Sequence, residues 1–172
     1  MLLAPTPPLY GQVYHLPGGL AGIEKTIRVM RNLVNSYRVN LPLREQAKSI
    51  IWLTPERDSL AEVSALYEFV RDRVRYVRDV HDVETISSPD KVLAGKMGDC
   101  DDQAVLLATM LESVGYPTRF IVAGYSIPGE FEHVYLQVLV GHEWLDLDPT
   151  EHFPMGVAPP NPVSLMAENI PL

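Results

Sequence analysis

The most restrictive feature of this sequence is an apolar run that extends from Gln103 to Val114 and stops at Gly115. The run has the length of a helix and contains few polar residues, so a helix formed here must be covered by other elements. Cys100 precedes the run directly, and Asp99 stands before it in the position of a helix N-cap. We therefore predict a buried helix that carries the only cysteine of the chain in its first turn.

The composition is that of one globular domain. The 172 residues suffice for a sizeable core, and the 47% of apolar residues excludes a disordered chain. The net charge of −8 argues against broad binding to nucleic acid or to an anionic membrane. One cysteine cannot form an internal disulfide, and neither a signal peptide nor a membrane span is evident. We expect a soluble intracellular protein or a component of an assembled particle.

Periodicity along the chain predicts helices first and strands later. Helices are predicted for residues 21–37, 44–53 and 59–74, and strands for residues 118–125, 131–140 and 143–147. The start of the third helix, Ser59 to Glu62, fits a capping box. Helices followed by an antiparallel meander indicate an α+β fold.

Proline-rich sequence flanks the predicted domain on both sides. Residues 1–20 contain four prolines and are interpreted as an extended N-terminal arm. Residues 21–153 form the predicted domain, and residues 154–172 form a proline-rich C-terminal tail. Arms of this kind often become ordered only against a partner.

Strand parity places a histidine and an aspartate on one face of the meander. If the hairpin turns at Gly141–His142, Val140 faces Glu143, and the same count makes His133 and Asp148 diagonal neighbours. A carboxylate there accepts a hydrogen bond from one imidazole nitrogen and leaves the other for a thiol. An odd loop length would put the two side chains on opposite faces.

Each of these residues also has a structural interpretation. Cys100 could be a small buried hydrophobe, His133 a structural strand residue, and Asp148–Pro149 a simple turn. The sequence does not distinguish the catalytic from the structural roles, because it does not show whether the N-terminus of the helix packs near His133.

The acidic residues around the cysteine raise two further questions. Asp99, Asp101 and Asp102 oppose formation of a thiolate by like-charge repulsion. Together with His133 they could instead form a calcium or magnesium site, although consecutive acids on a helix point in different directions.

A basic stretch ends the third predicted helix. Residues 71–78 contain four arginines in an otherwise acidic protein. Cations stabilise the C-terminal end of a helix, so a solvated face is the simpler interpretation. A binding patch is the alternative, and the sequence leaves both open.

Three motifs resemble those of the transglutaminase-like superfamily. Residues 98–119 resemble its nucleophile helix, which has the pattern Gly-x-Cys, an apolar helix and Gly-x-Pro-x-Arg. Residues 133–138 and 144–150 resemble its later motifs, His-x-x-x-x-Val and Trp-x-x-x-Asp-Pro-Thr. The motifs occur in the family's order within about residues 60–150. The whole chain is also similar to short transglutaminase-like proteins encoded by tailed phages and prophages.

This resemblance implies a papain-like fold and acyl transfer through a thioester. Cys100 would be the nucleophile, His133 the general base and acid, and Asp148 the orienting acid. The backbone N–H of Cys100 would be one oxyanion donor. Trp52 does not match the tryptophan that animal transglutaminases place upstream of the nucleophile, which favours hydrolysis over crosslinking. Trp144 is expected to serve in packing. No calcium-binding loop is evident, so we expect no metal and no cofactor.

The resulting hypothesis is a cysteine protease or amidase that acts on a peptide or protein, such as a phage structural protein or a cell-wall peptide. The alternative is a virion assembly or structural protein that keeps the fold with little or no catalysis and contacts phage structural proteins through its terminal arms. Neither hypothesis includes a nucleic-acid or membrane partner. Both place the protein in the cytoplasm of a bacterial host or in the virion.

Overall fold

The computed structural model of the chain describes residues 12–14, 20–78 and 84–171. Within these ranges the helices precede the main sheet, and the predicted α+β fold is confirmed. The helices are α1 Leu20–Tyr37, α2 Leu41–Ile51, α3 Ser59–Arg73, α4 Pro89–Gly95 and α5 Cys100–Ser113. The strands are β1 Gln12–Tyr14, β2 Arg75–Tyr76, β3 Glu84–Ile86, β4 Met97–Gly98, β5 Thr118–Gly124, β6 His133–Val140, β7 Glu143–Leu147 and β8 Ser164–Asn169. No helix among the described residues is long and apolar enough to cross a membrane.

Two helices begin differently from the prediction. Helix α2 starts at Leu41 rather than near residue 44, because Pro42 lies in its first turn, where a missing N–H costs no helical hydrogen bond. Asn40 caps this helix by accepting a hydrogen bond from the Leu43 N–H at 3.2 Å. The N-cap of α3 is Asp58, which accepts from Ala61 N at 3.0 Å. The predicted capping box of Ser59 and Glu62 is therefore wrong, because the residue three positions after the actual cap is Ala61.

The main sheet is antiparallel, with strand order β7-β6-β5-β8. The β6–β7 hairpin has the predicted register, in which Val140 faces Glu143 across a two-residue turn. The fourth strand, β8, comes from the segment assigned to the C-terminal tail. Its side chains alternate between half-buried and exposed, which is the pattern of an edge strand with one covered face.

The N-terminal segment also contributes a strand. Strand β1 pairs antiparallel with β3, with Val13 opposite Thr85. The rest of the predicted N-terminal arm, residues 1–11 and 15–19, lies outside the described residues.

Helix α5 is the centre of the core, as the apolar run predicts. Every residue from Asp101 to Leu111 is buried. Helices α1 to α4 pack around α5, and its remaining side lies against β5 and β6. Val134, Leu136 and Val138 of β6 belong to the same core cluster as α5. The alternate residue Tyr135 belongs to a separate buried cluster on the other side of the sheet.

Candidate active site

Cys100 is held at the start of α5 by a closely packed turn. The Asp99 carboxylate accepts a hydrogen bond from the Asp102 N–H at 3.1 Å, and Asp102 in turn accepts from the Ser87 N–H at 2.6 Å. A Cβ atom at Gly98 would lie 2.6 Å from the Asp102 Cβ, so only glycine allows β4 to approach the helix this closely. The position of the thiol is thus fixed by the junction of β4 and α5.

His133 and Asp148 form a hydrogen-bonded pair where β6 begins and β7 ends. His133 Nε2 lies 2.7 Å from Asp148 Oδ2, as the strand count predicts. Asp148 is fully buried. Its Oδ1 accepts two more hydrogen bonds, from Thr150 N at 3.0 Å and Thr150 Oγ1 at 2.7 Å. A carboxylate with three partners fixes the imidazole and leaves Nδ1 for proton exchange.

Two residues that the sequence did not assign support this pair. The Tyr67 hydroxyl shares its one proton between the backbone oxygens of Asp148 at 2.9 Å and Phe153 at 2.8 Å, which holds the turn after β7 against α3. Thr150 completes the coordination of the carboxylate. Thr150 lies two residues after Asp148, a spacing at which an aspartate side chain commonly accepts hydrogen bonds from its own turn. This spacing is the signal that could have identified Thr150 from the sequence.

The thiol lies beside the strand that carries the histidine. The backbone N–H of Val134 donates toward the Cys100 sulfur, and Val134 directly follows His133. The start of α5 therefore meets the start of β6, which is the packing that the sequence could not establish. Cys100 itself is partly buried.

The environment of the thiol favours its neutral form. Burial raises the pKa of Cys100 well above its ordinary value, and the negative charges of Asp101 and Asp99 raise it further. The Cys100 Sγ also donates a weak hydrogen bond to Asp101 Oδ1 at 3.6 Å. The Val134 N–H opposes these effects by stabilising the thiolate. These effects together favour the protonated thiol, so nucleophilic attack by Cys100 would require a base.

Asp101→Asn is expected to speed alkylation of Cys100. Removing the carboxylate charge lowers the pKa of the thiol, and at a pH below that pKa the thiolate fraction rises. We expect iodoacetamide to react roughly threefold faster near pH 8, which corresponds to about half a pKa unit. Intact-mass measurement reports on this site alone because the chain has one cysteine.

The matched control for this measurement is Asp90→Asn, which removes an exposed first-turn acid from α4. Equal alkylation rates in the two variants, with unchanged melting temperatures, would show that Asp101 does not control the thiol pKa.

The described part of the chain contains no ligand set for the alternative calcium or magnesium site. No group of three or more histidine, cysteine, aspartate or glutamate side chains there has the arrangement of a metal site. His133 is paired with Asp148, and the Asp99 carboxylate serves as the cap of α5.

The other residues of the family-like motifs brace the sheet. The Arg119 guanidinium lies over the Trp144 ring, 4.2 Å from its centroid. Arg119 Nε donates to Gln137 Oε1 at 2.7 Å, and Gln137 Nε2 donates to Asp146 Oδ1 at 2.8 Å. These contacts join β5, β6 and β7 on the face that carries His133. The packing role expected for Trp144 agrees with this contact.

Comparison with known proteins gives one family and several related folds. The family model described as the transglutaminase-like superfamily matches residues 44–149. A cysteine-protease candidate from Cytophaga hutchinsonii superposes with a TM-score of 0.57 at 16% identity, covering 80% of this chain and 47% of that one. Calcium-bound LapG from Legionella pneumophila superposes with a TM-score of 0.55 at 19% identity, covering 83% and 87%.

A third related fold comes from a Rad4–Rad23 complex bound to a 6-4 photoproduct UV lesion. Its TM-score is 0.52 at 14% identity, over 78% of this chain and 38% of that one. At these identities the comparisons establish a shared fold. The present chain spans less than half the length of the Cytophaga protein and of the Rad4–Rad23 chain. A comparison with curated sequences finds no significant match. The phage resemblance stays a prediction.

Proposed function

Since this chain belongs to the transglutaminase-like superfamily, we propose that it is a cysteine protease or amidase in which Cys100, His133 and Asp148 hydrolyse an amide bond of a peptide or protein. The observation that carries the proposal is the fully buried Asp148 carboxylate, which lies 2.7 Å from His133 Nε2. The residue after His133 on β6 is Val134, whose backbone N–H contacts the Cys100 sulfur. A buried carboxylate of this kind orients an imidazole toward a nucleophile.

Acylation would begin with proton transfer from the thiol to His133 Nδ1. The Cys100 sulfur then attacks the carbonyl carbon of the substrate, and the carbonyl oxygen takes up negative charge. The backbone N–H of Cys100, at the positive end of α5, is the expected donor to that oxyanion. The tetrahedral intermediate collapses to a thioester as the C–N bond breaks, and the imidazolium returns its proton to the departing amine.

Deacylation uses the same groups with water as the nucleophile. His133 removes a proton from water, water attacks the thioester carbonyl, and the thiol leaves with the proton that His133 returns. Asp148 orients the imidazole and stabilises the imidazolium that forms in both steps. The high pKa of the thiol supports a role for His133 as a base during attack, rather than as the partner of a thiolate formed beforehand.

The test of this proposal is to trap the thioester. The protein is incubated with an activated ester of a neutral acylated amino acid, quenched in acid and measured by intact mass. We expect one acyl group, located on Cys100 by peptide mapping and released by hydroxylamine. Cys100→Ser and His133→Ala serve as controls. Failure to acylate Cys100, or equal acylation of the wild type and His133→Ala, would contradict the proposal.

A non-catalytic role in a phage particle is the second candidate. The raised pKa of Cys100 favours it, because a thiol held neutral is a poor nucleophile without assistance. Under this alternative, Cys100→Ser would retain full biological function, and the protein would co-purify with intact particles. The particle partners and the virion location are predictions of this alternative.

A further inference from the structure

A pocket of about 350 Å³ lies beside the candidate active site. One wall is Arg71–Tyr76, from the end of α3 through β2, and another is formed by Pro149–Thr150 and His152. Gln103 of α5 also lines the pocket. The proposed chemistry uses none of these residues directly, and the basic stretch found in the sequence is the first wall.

The pocket shares its structural supports with the catalytic residues. Gln103 lies one turn after Cys100 on α5, and Thr150 donates two hydrogen bonds to Asp148. Tyr76 pairs with Gly98, two residues before Cys100. Burial raises the Tyr76 pKa, and ionisation of Cys100 would raise it further, which agrees with the proximity of the two residues. The pocket is therefore adjacent to the elements that hold the thiol and the Asp148 carboxylate.

The pocket carries excess positive charge. Arg71 is already paired with the one acid of the pocket, Asp72, at 2.8 and 3.1 Å, and lies over the Tyr67 ring. Arg73 and Arg75 are exposed and make no ion pair with the described residues. Two guanidinium groups are therefore available to carboxylates, in a protein whose net charge is −8.

The charge of the pocket indicates the class of its ligand. Carboxylates that pair with Arg73 and Arg75 are what an acidic peptide supplies. Gln103 lines the pocket but is fully buried, and its unsatisfied Oε1 is an acceptor inside the protein.

We propose that this pocket binds an acidic side chain of the substrate beside the scissile amide, so that the enzyme prefers peptides with Asp or Glu at that position. This inference rests on the proposed function and adds a substrate class to it. A peptide fits the observations better than a nucleic acid, because the pocket admits one or two side chains and the remaining surface is acidic overall.

Binding to the intact Cys100→Ala protein tests the proposal without turnover. Fluorescence anisotropy compares a labelled Glu-containing peptide, the same peptide with Gln, and a single-stranded oligonucleotide. We expect the Glu peptide to bind about five times more tightly than the Gln peptide. Arg73→Ala and Arg75→Ala are each expected to weaken Glu-peptide binding about two- to fivefold, as for exposed ion pairs. Raising the salt concentration should reduce the preference.

The matched control is Arg28→Ala, which removes an exposed arginine of α1 outside the pocket and should leave the affinity unchanged. Equal affinity for the Glu and Gln peptides, or an equal loss in Arg28→Ala and Arg73→Ala, would overturn the proposal. Tighter binding of the oligonucleotide would also overturn it. Acylation by the neutral ester reports separately on the proposed function, so an acylated enzyme without acidic preference refutes the pocket alone.

Discussion

His133→Ala is expected to slow acylation of Cys100 by about four orders of magnitude. Burial and two neighbouring aspartates hold the thiol neutral, so attack depends on a base that removes its proton in the same step. The wild-type rate should therefore be high near neutral pH. In the variant, acylation should rise with pH toward the raised pKa of the thiol, because only the small thiolate fraction can react. Single-turnover acylation by the activated ester, measured against pH, gives the rate near neutral pH and the pH dependence of both proteins.

His142→Ala is the matched control for this experiment. His142 is exposed in the turn between β6 and β7, nine residues from His133 along the same hairpin. Its replacement should leave the rate and the pH profile unchanged. Similar rates in His133→Ala and His142→Ala would remove His133 from the mechanism, provided that both variants keep the wild-type melting temperature.

Asp148→Asn is expected to lower acylation about 10³- to 10⁴-fold and to destabilise the fold as well. The carboxylate now accepts from His133 on Oδ2 and from Thr150 on Oδ1, whereas an amide has one acceptor oxygen. Whichever way the amide turns, a buried donor loses its partner. The expected cost is about 1–3 kcal/mol of unfolding free energy, or roughly 2–10 °C in melting temperature for a chain of this size.

Asp146→Asn is the matched control, because it also removes one negative charge from the sheet. Asp146 lies on the same face and accepts one hydrogen bond, from Gln137 Nε2, which an asparagine oxygen can still accept. We expect less than a twofold change in rate and little change in melting temperature. If Asp148→Asn kept the wild-type melting temperature and acylation rate, Asp148 would neither orient His133 nor stabilise the fold.

The His133–Asp148 pair could be predicted because strand geometry leaves few choices. A two-residue turn at Gly141–His142 and a side-chain period of two give a single register, and the structure has that register. The buried helix that starts at Cys100 was predictable for a similar reason, because its apolar run contains too few polar residues to form a face exposed to solvent. Both features depend on residues that are close together in the sequence.

Features that depend on distant segments could not be predicted in this way. Strand β8 lies in a segment whose prolines suggested a tail, and only its pairing with β5 makes it a strand. The pocket joins residues 71–76 to residues 149–152, which no local pattern relates. The contact between the Cys100 sulfur and the Val134 backbone likewise arises from packing of α5 against the sheet.

The acidic surroundings of Cys100 have a consequence for oxidation. Peroxides attack thiolates, and their first product is a sulfenic acid that can be oxidised further to irreversible forms. A thiol kept protonated by burial, Asp101 and Asp99 exposes little thiolate to such oxidants. If Cys100 is the nucleophile that we propose, the proton that makes it dependent on His133 would also protect it between turnovers, in a chain with no second cysteine to form a rescuing disulfide.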